Sequence, residues 1–116
     1  MARYTHLLTV ALSPSRLRQQ LVETLETCHL EVVHITPEYV MAREIPHAGM
    51  PFPQLVTIEV LVDHTTATET ETQCTFVVKN EELPLKSNNH CFQIYEKVSE
   101  ALAENENWHL VKSVKS

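Results

Sequence analysis

The chain contains very little glycine: Gly49 is its single glycine in 116 residues. Loops that cradle phosphate groups need several glycines, because the backbone N–H groups must approach the anion closely. A glycine-rich nucleotide-binding loop is therefore excluded. Basic residues are also few, nine against fifteen acidic ones, which gives a formal net charge of −6. Because an acidic surface repels phosphate backbones, we expect no nucleic acid partner.

Cysteine is scarce and widely spaced, at Cys28, Cys74 and Cys91. An odd number without a Cys-x-x-Cys pair argues against a disulfide framework and favours a reducing compartment. The seven histidines are scattered, without the short paired spacings of a metal-binding site. We therefore expect neither a metal nor a cofactor.

Long apolar runs are absent as well. None reaches the roughly 18 residues that a membrane-spanning helix requires, and the residues after Met1 lack the apolar stretch of a signal peptide. Hydrophobic residues nevertheless make up 43% of the chain, and charged residues 21%, as in ordinary globular proteins. The sequence thus predicts a cytoplasmic protein with no membrane span, folded as a single domain over residues 1–116.

Two kinds of periodicity are present. Residues 54–63 alternate between β-branched and mixed side chains, which is typical of a strand in a sheet buried on one face. Residues 14–28 and the segment after Asn88 carry apolar side chains at helical spacing, and Asn88 is expected to cap the second helix. The predicted strands cover residues 4–12, 30–36, 39–45, 54–63, 69–79 and 108–114.

The predicted element order is β-α-β-β-β-β-α-β. Because sequential strands usually pair with one another, we expect an α+β fold with a mostly antiparallel sheet and two helices on one face. This element order resembles helix-grip or TATA-binding-protein-like folds. Such a resemblance leaves the function open, since one fold can serve many functions.

A second resemblance lies in two short segments. Residues 77–85 read Val-Val-Lys-Asn-Glu-Glu-Leu-Pro-Leu, and Asn88-Asn89-His90-Cys91 follows them. These segments resemble small, poorly characterised cyanobacterial proteins. The resemblance implies a photosynthetic bacterium as the source and says nothing about chemistry.

Cys91 is the strongest candidate for catalysis. If Asn88 caps the second helix, Cys91 lies in its first turn, where the helix dipole favours the reactive thiolate. The alternative is a small buried hydrophobe on the apolar stripe that contains Ile94 and Val98. Because adjacent residues on a helix point about 100° apart, His90 is poorly placed as a base for Cys91. We therefore expect that the protein is not an enzyme.

Two apolar surfaces favour binding instead. The proline-stiffened segment 46–53 displays Met50 and Phe52 and would lose little entropy on docking, although Phe52 could also plug the fold from beneath the sheet. The sheet face opposite the helices is expected to carry Leu55, Leu61 and Val77 among threonines, which would suit a protein partner or a homodimer.

The leading functional hypothesis is therefore a non-enzymatic protein-interaction module, an accessory or assembly factor of a larger, photosynthetic complex. The first alternative is a small-ligand carrier, with a pocket between helices and sheet lined by Met41, Tyr95 and Trp108. The second alternative is a thiol enzyme that uses Cys91.

Overall fold

The computed structural model describes residues 1–46, 49–81, 89–105, 108 and 110–115. Within them, strands and helices follow one another in the predicted order, with one short 3-10 turn added between the third and fourth strands. The elements are β1 (Ala2–Val10), α1 (Pro14–Thr27), β2 (Leu30–Ile35), β3 (Tyr39–Glu44), the 3-10 turn (Phe52–Gln54), β4 (Thr57–Asp63), β5 (Thr72–Asn80), α2 (His90–Glu104) and β6 (Leu110–Lys115).

The six strands form one sheet in the order β2-β3-β4-β5-β1-β6, and every neighbouring pair is antiparallel. The run from β2 to β5 is the expected meander, and β1 then pairs with β5 on one side and β6 on the other. Both helices contribute to a core on one face of this sheet. The structure therefore confirms the predicted α+β fold, an antiparallel sheet with two helices on one face.

The core confirms which face of β4 points inward. In β4, Ile58 and Val60 are fully buried, whereas Leu61 between Val60 and Val62 is 53% exposed. The apolar stripes of both helices pack onto this inner face and remove its side chains from water. This burial of apolar surface is the main favourable contribution to folding. The helix residues of the core are Leu17, Leu21, Leu25, Cys91, Tyr95, Val98 and Leu102.

The helix ends follow local sequence signals, with one correction. Helix α1 begins at Pro14, whose fixed backbone angle and missing N–H suit a first helical position. Helix α2 is capped by Asn89, whose side-chain oxygen accepts a hydrogen bond of 2.9 Å from the backbone N–H of Phe92. The predicted cap, Asn88, was therefore wrong by one residue, and Asn88 itself lies outside the described residues. No helix in the described ranges is long and apolar enough to span a membrane.

Three strands begin later than the sequence predicts, because turns take up their first residues. Residues before β4 form the 3-10 turn. Before β5, the hydroxyl of Thr68 accepts hydrogen bonds from the backbone N–H groups of Thr70 and Glu71, which closes a turn. The last strand begins at Leu110, and Trp108 belongs to the core instead.

Candidate ligand-binding groove

A groove of about 700 Å³ opens where β3 ends and β4 begins, largely on the sheet face opposite the helices. Strand residues line one side of it, and the connection between β3 and β4 lines the other. Its volume lies within the range of roughly 300–1,000 Å³ that is typical of small-molecule sites. We call it the methionine groove; its lining residues are Met1, Val33, Met41, Arg43, Glu44, Pro46, Met50, Phe52, Leu55, Val56, Thr57, Lys79, Asn80 and Glu81.

One wall of the groove is the connection between β3 and β4, whose described part contains prolines and the single glycine of the chain. Gly49 has a backbone φ of 84°, a left-handed conformation that costs glycine little and other residues more. Pro51 then leads into the 3-10 turn, in which the N–H of Gln54 donates to the oxygen of Pro51 at 3.0 Å. Gly49 and Pro51 therefore bend the described part of this wall.

Two hydrogen bonds attach this wall to the end of β5. The side-chain amide of Asn80 donates to the backbone oxygen of Gln54 at 3.2 Å. The backbone N–H of Glu81 donates to the oxygen of Pro53 at 3.1 Å. Because these bonds hold the turn in place, binding at the groove requires little further ordering of the wall.

The apolar part of the lining is rich in methionine. All three methionines of the chain, Met1, Met41 and Met50, line the groove. Methionine side chains are flexible and polarisable, so they adapt to ligands of different shape. Phe52 adds an aromatic ring that is 78% exposed. The groove thus presents accessible apolar surface that a ligand can cover.

Basic residues lie along one row of the groove. Arg43 pairs in register with Thr57, and Thr57 pairs with Lys79, so the three side chains share the outer face of adjacent strands. Arg43 contacts Glu31 at 3.8 Å, with both side chains more than half exposed. Lys79 forms a close ion pair with Glu59. The groove therefore has a polar row of paired charges beside its apolar lining.

A nearly buried carboxylate joins the groove to the start of α2. The Nε2 atom of His90 lies 2.9 and 3.0 Å from the two carboxylate oxygens of Glu44. The backbone N–H of Val56 also donates to Glu44 Oε1, at 3.3 Å. Burying a carboxylate is costly unless such partners are present. This pair was not anticipated from the sequence, because Glu44 and His90 are distant along the chain.

The predicted loop residues lie together at the groove. Met50, Phe52 and Leu55 all belong to its lining. The high exposure of Phe52 shows that the plug alternative is wrong. Leu61 lies on the predicted outer face but outside the groove lining. Val77 lies on the same face but is only 8% exposed, so it adds little accessible surface.

The predicted pocket between helices and sheet was wrong for the residues that the structure describes. Tyr95 and Trp108 are buried in the core, whereas Met41 lies on the opposite side of the sheet. Beneath α2, the space bounded by residues such as Phe76 and Leu102 has an open volume close to zero. Side chains fill this part of the interior. Among the described residues, a smaller open space of about 300 Å³ lies between the two helices, bounded by residues such as Gln20 and Ala101, and the methionine groove is more than twice that volume.

All three cysteines are buried as thiols. Cys91 is completely buried, and its Sγ lies 3.6 Å from the backbone oxygen of Val78. Burial raises the pKa of the Cys74 thiol to about 12, and burial also raises the pKa of Cys28. His90, the neighbouring candidate base, contacts Glu44. The arrangement therefore fits the interpretation of Cys91 as a small buried hydrophobic residue.

Among the described residues, no three His, Cys, Asp or Glu side chains are grouped for metal binding.

No protein-family model and no curated protein matches the chain. The solved structures that overlap with it include three at low TM-score. The Zhui aromatase/cyclase from Streptomyces sp. R1128 is 12% identical, with a TM-score of 0.41, and the match covers 88% of this chain and 86% of that chain. A conserved protein from Geobacillus kaustophilus is 12% identical, with a TM-score of 0.37, and the match covers 86% of this chain and 97% of that chain. Ara h 8.0201 is 9% identical, with a TM-score of 0.39, and the match covers 90% of this chain and 99% of that chain. At these TM-scores the overlap supports no conclusion about ligand or activity.

Proposed function

We propose that this chain is a non-enzymatic carrier of an apolar small molecule, which it binds in the methionine groove. The observation that carries this proposal is a groove of about 700 Å³ into which all three methionines of the chain project. The proposal keeps the small-ligand alternative of the sequence analysis but moves the site to the other side of the sheet.

The energetics of the groove support an apolar ligand. Fully burying a methionine or phenylalanine side chain stabilises a complex by about 1.5–3 kcal/mol. A ligand that covers Met41, Met50 and Phe52 removes part of each side chain from water. The wall is already held by Asn80 and Glu81, so less of this gain is lost to ordering.

The proposal is tested by replacing Met41 with glutamine and titrating the protein with dodecanol by calorimetry. Met41→Gln keeps the length of the side chain but places an amide against the ligand tail, so we expect roughly tenfold weaker binding. Leu61→Gln is the matched control, because Leu61 shares the sheet face but lies outside the groove lining. Equal affinities of the two variants, or no dodecanol binding by the wild type, would contradict the proposal.

A second candidate function is the interaction module. Leu61, Thr75, Leu7 and Val114 pair in register across four strands, and the three apolar members are exposed. Such a row can form a surface for a protein partner of a larger cytoplasmic complex. The Leu61→Gln variant separates the two functions, because it should weaken partner capture and leave dodecanol affinity unchanged.

A further inference from the structure

The charged row of the methionine groove indicates the class of its ligand. We infer that this ligand is an amphipathic carboxylate, a fatty-acid-like molecule whose anionic head group is held by Arg43 and Lys79. This inference rests on the proposed function, because it specifies the ligand of the same groove. It draws on the register of β3, β4 and β5 and on the charge of the lining.

The cations of the groove stand out against an acidic protein. The chain has a net charge of −6, yet Arg43 and Lys79 both line the groove. Two carboxylates share the lining. Glu44 is engaged by His90 and Val56, and Glu81 is exposed to water just beyond β5. Arg43 and Lys79 therefore supply the cationic groups of the lining, each with a carboxylate partner outside the lining, Glu31 and Glu59.

The register places a head-group position between the two cations. Neighbouring strands lie about 4.8 Å apart, so Arg43 and Lys79 flank Thr57 at roughly 10 Å from each other. A carboxylate above Thr57 can accept hydrogen bonds from the guanidinium, the ammonium and the Thr57 hydroxyl. Hydrogen bonds between charged partners are about twice as strong as neutral ones.

The existing ion pairs leave both cations able to bind this carboxylate. The 3.8 Å contact between Arg43 and Glu31 joins two exposed side chains, and such pairs contribute little. Lys79 has three N–H donors, so its ion pair with Glu59 leaves donors for a second acceptor. From a head group at this row, an apolar tail would extend over Met41, which lies two residues before Arg43 on the same face of β3.

The test compares dodecanoate with dodecanol, which share a tail and differ in the head group, by calorimetry at low salt. We expect the wild type to bind dodecanoate about tenfold more tightly than dodecanol. The double variant Arg43→Gln/Lys79→Gln should lose this preference and bind the two compounds with equal affinity. Arg3→Gln is the matched control, since Arg3 pairs with Lys79 in the same row but lies outside the groove lining. High salt should narrow the preference of the wild type.

Each outcome separates the head-group inference from the proposed function. Equal binding of dodecanoate and dodecanol by the wild type would overturn the inference and leave the carrier proposal standing. Binding of neither compound would overturn both. An equal loss of preference in Arg3→Gln would assign the effect to the general surface charge and also overturn the inference. If circular dichroism shows that the double variant is unfolded, the two single variants decide, because each must reduce the preference.

Discussion

Ile58→Ala is expected to lower the free energy of unfolding by about 2–5 kcal/mol, as measured by chemical denaturation. Ile58 is completely buried near the start of β4, and its register partners Ala42 and Val78 are buried on either side. Truncation removes apolar contacts and leaves a cavity that paired neighbouring strands cannot easily close. The loss of stability therefore has two parts, the lost burial of the removed apolar atoms and the cost of the remaining cavity.

Leu61→Ala provides the matched control for this prediction. Leu61 lies in the same strand with the opposite phase and is more than half exposed. Its truncation should change the free energy of unfolding by no more than about 0.5 kcal/mol. A larger loss for Leu61→Ala than for Ile58→Ala would show that the two faces of the sheet are exchanged, and the position of the methionine groove would then be wrong as well.

Trp108→Ala is expected to destabilise the protein by about 3–5 kcal/mol. Trp108 is almost completely buried, and its indole N–H donates to the hydroxyl of Thr24 at 3.0 Å. The same hydroxyl accepts a bond of 3.1 Å from the side-chain amide of Asn105. Trp108 therefore packs the region after α2 against α1 and also satisfies a buried polar group.

Trp108→Phe separates packing from hydrogen bonding at this position. It keeps most of the aromatic surface and loses the bond to Thr24, so we expect a smaller loss of about 1–3 kcal/mol. Thermal denaturation followed by circular dichroism measures both variants without relying on indole fluorescence. A loss below about 1 kcal/mol for Trp108→Ala would place this side chain outside the core.

The fold was largely predictable because its signals are local. The alternation in β4 and the helical spacing of Leu17, Leu21 and Leu25 each depend on a few neighbouring residues, and the structure confirms both. The cap of α2 was misplaced because Asn88 and Asn89 have the same chemistry. The sequence could not indicate which of the two would adopt the extended conformation of the cap.

The site was harder to predict for two reasons. Its residues come together only through the register of separate strands, and the hydrophobic pattern of β3 indicates the wrong face for Met41. In β3, the apolar Met41 points outward and the charged Glu44 points towards the buried side. A hydrophobic pattern alone therefore assigns Met41 to an internal pocket. Glu44 is tolerated there because His90, from a distant part of the chain, supplies its partner. The row of Arg43, Thr57 and Lys79 likewise exists only once three strands are aligned.

The central claim is that an apolar ligand occupies the methionine groove. Titration of dodecanol into protein labelled with ¹³C at the methyl groups of methionine, valine and leucine tests it directly, because all three methionines line the groove. We expect saturable shifts of the Met41 and Met50 methyl signals, with the methyl signals of the buried Val98 and Leu102 unchanged. Static methionine signals accompanied by shifts of Val98 and Leu102 would place the ligand between helices and sheet and contradict the account.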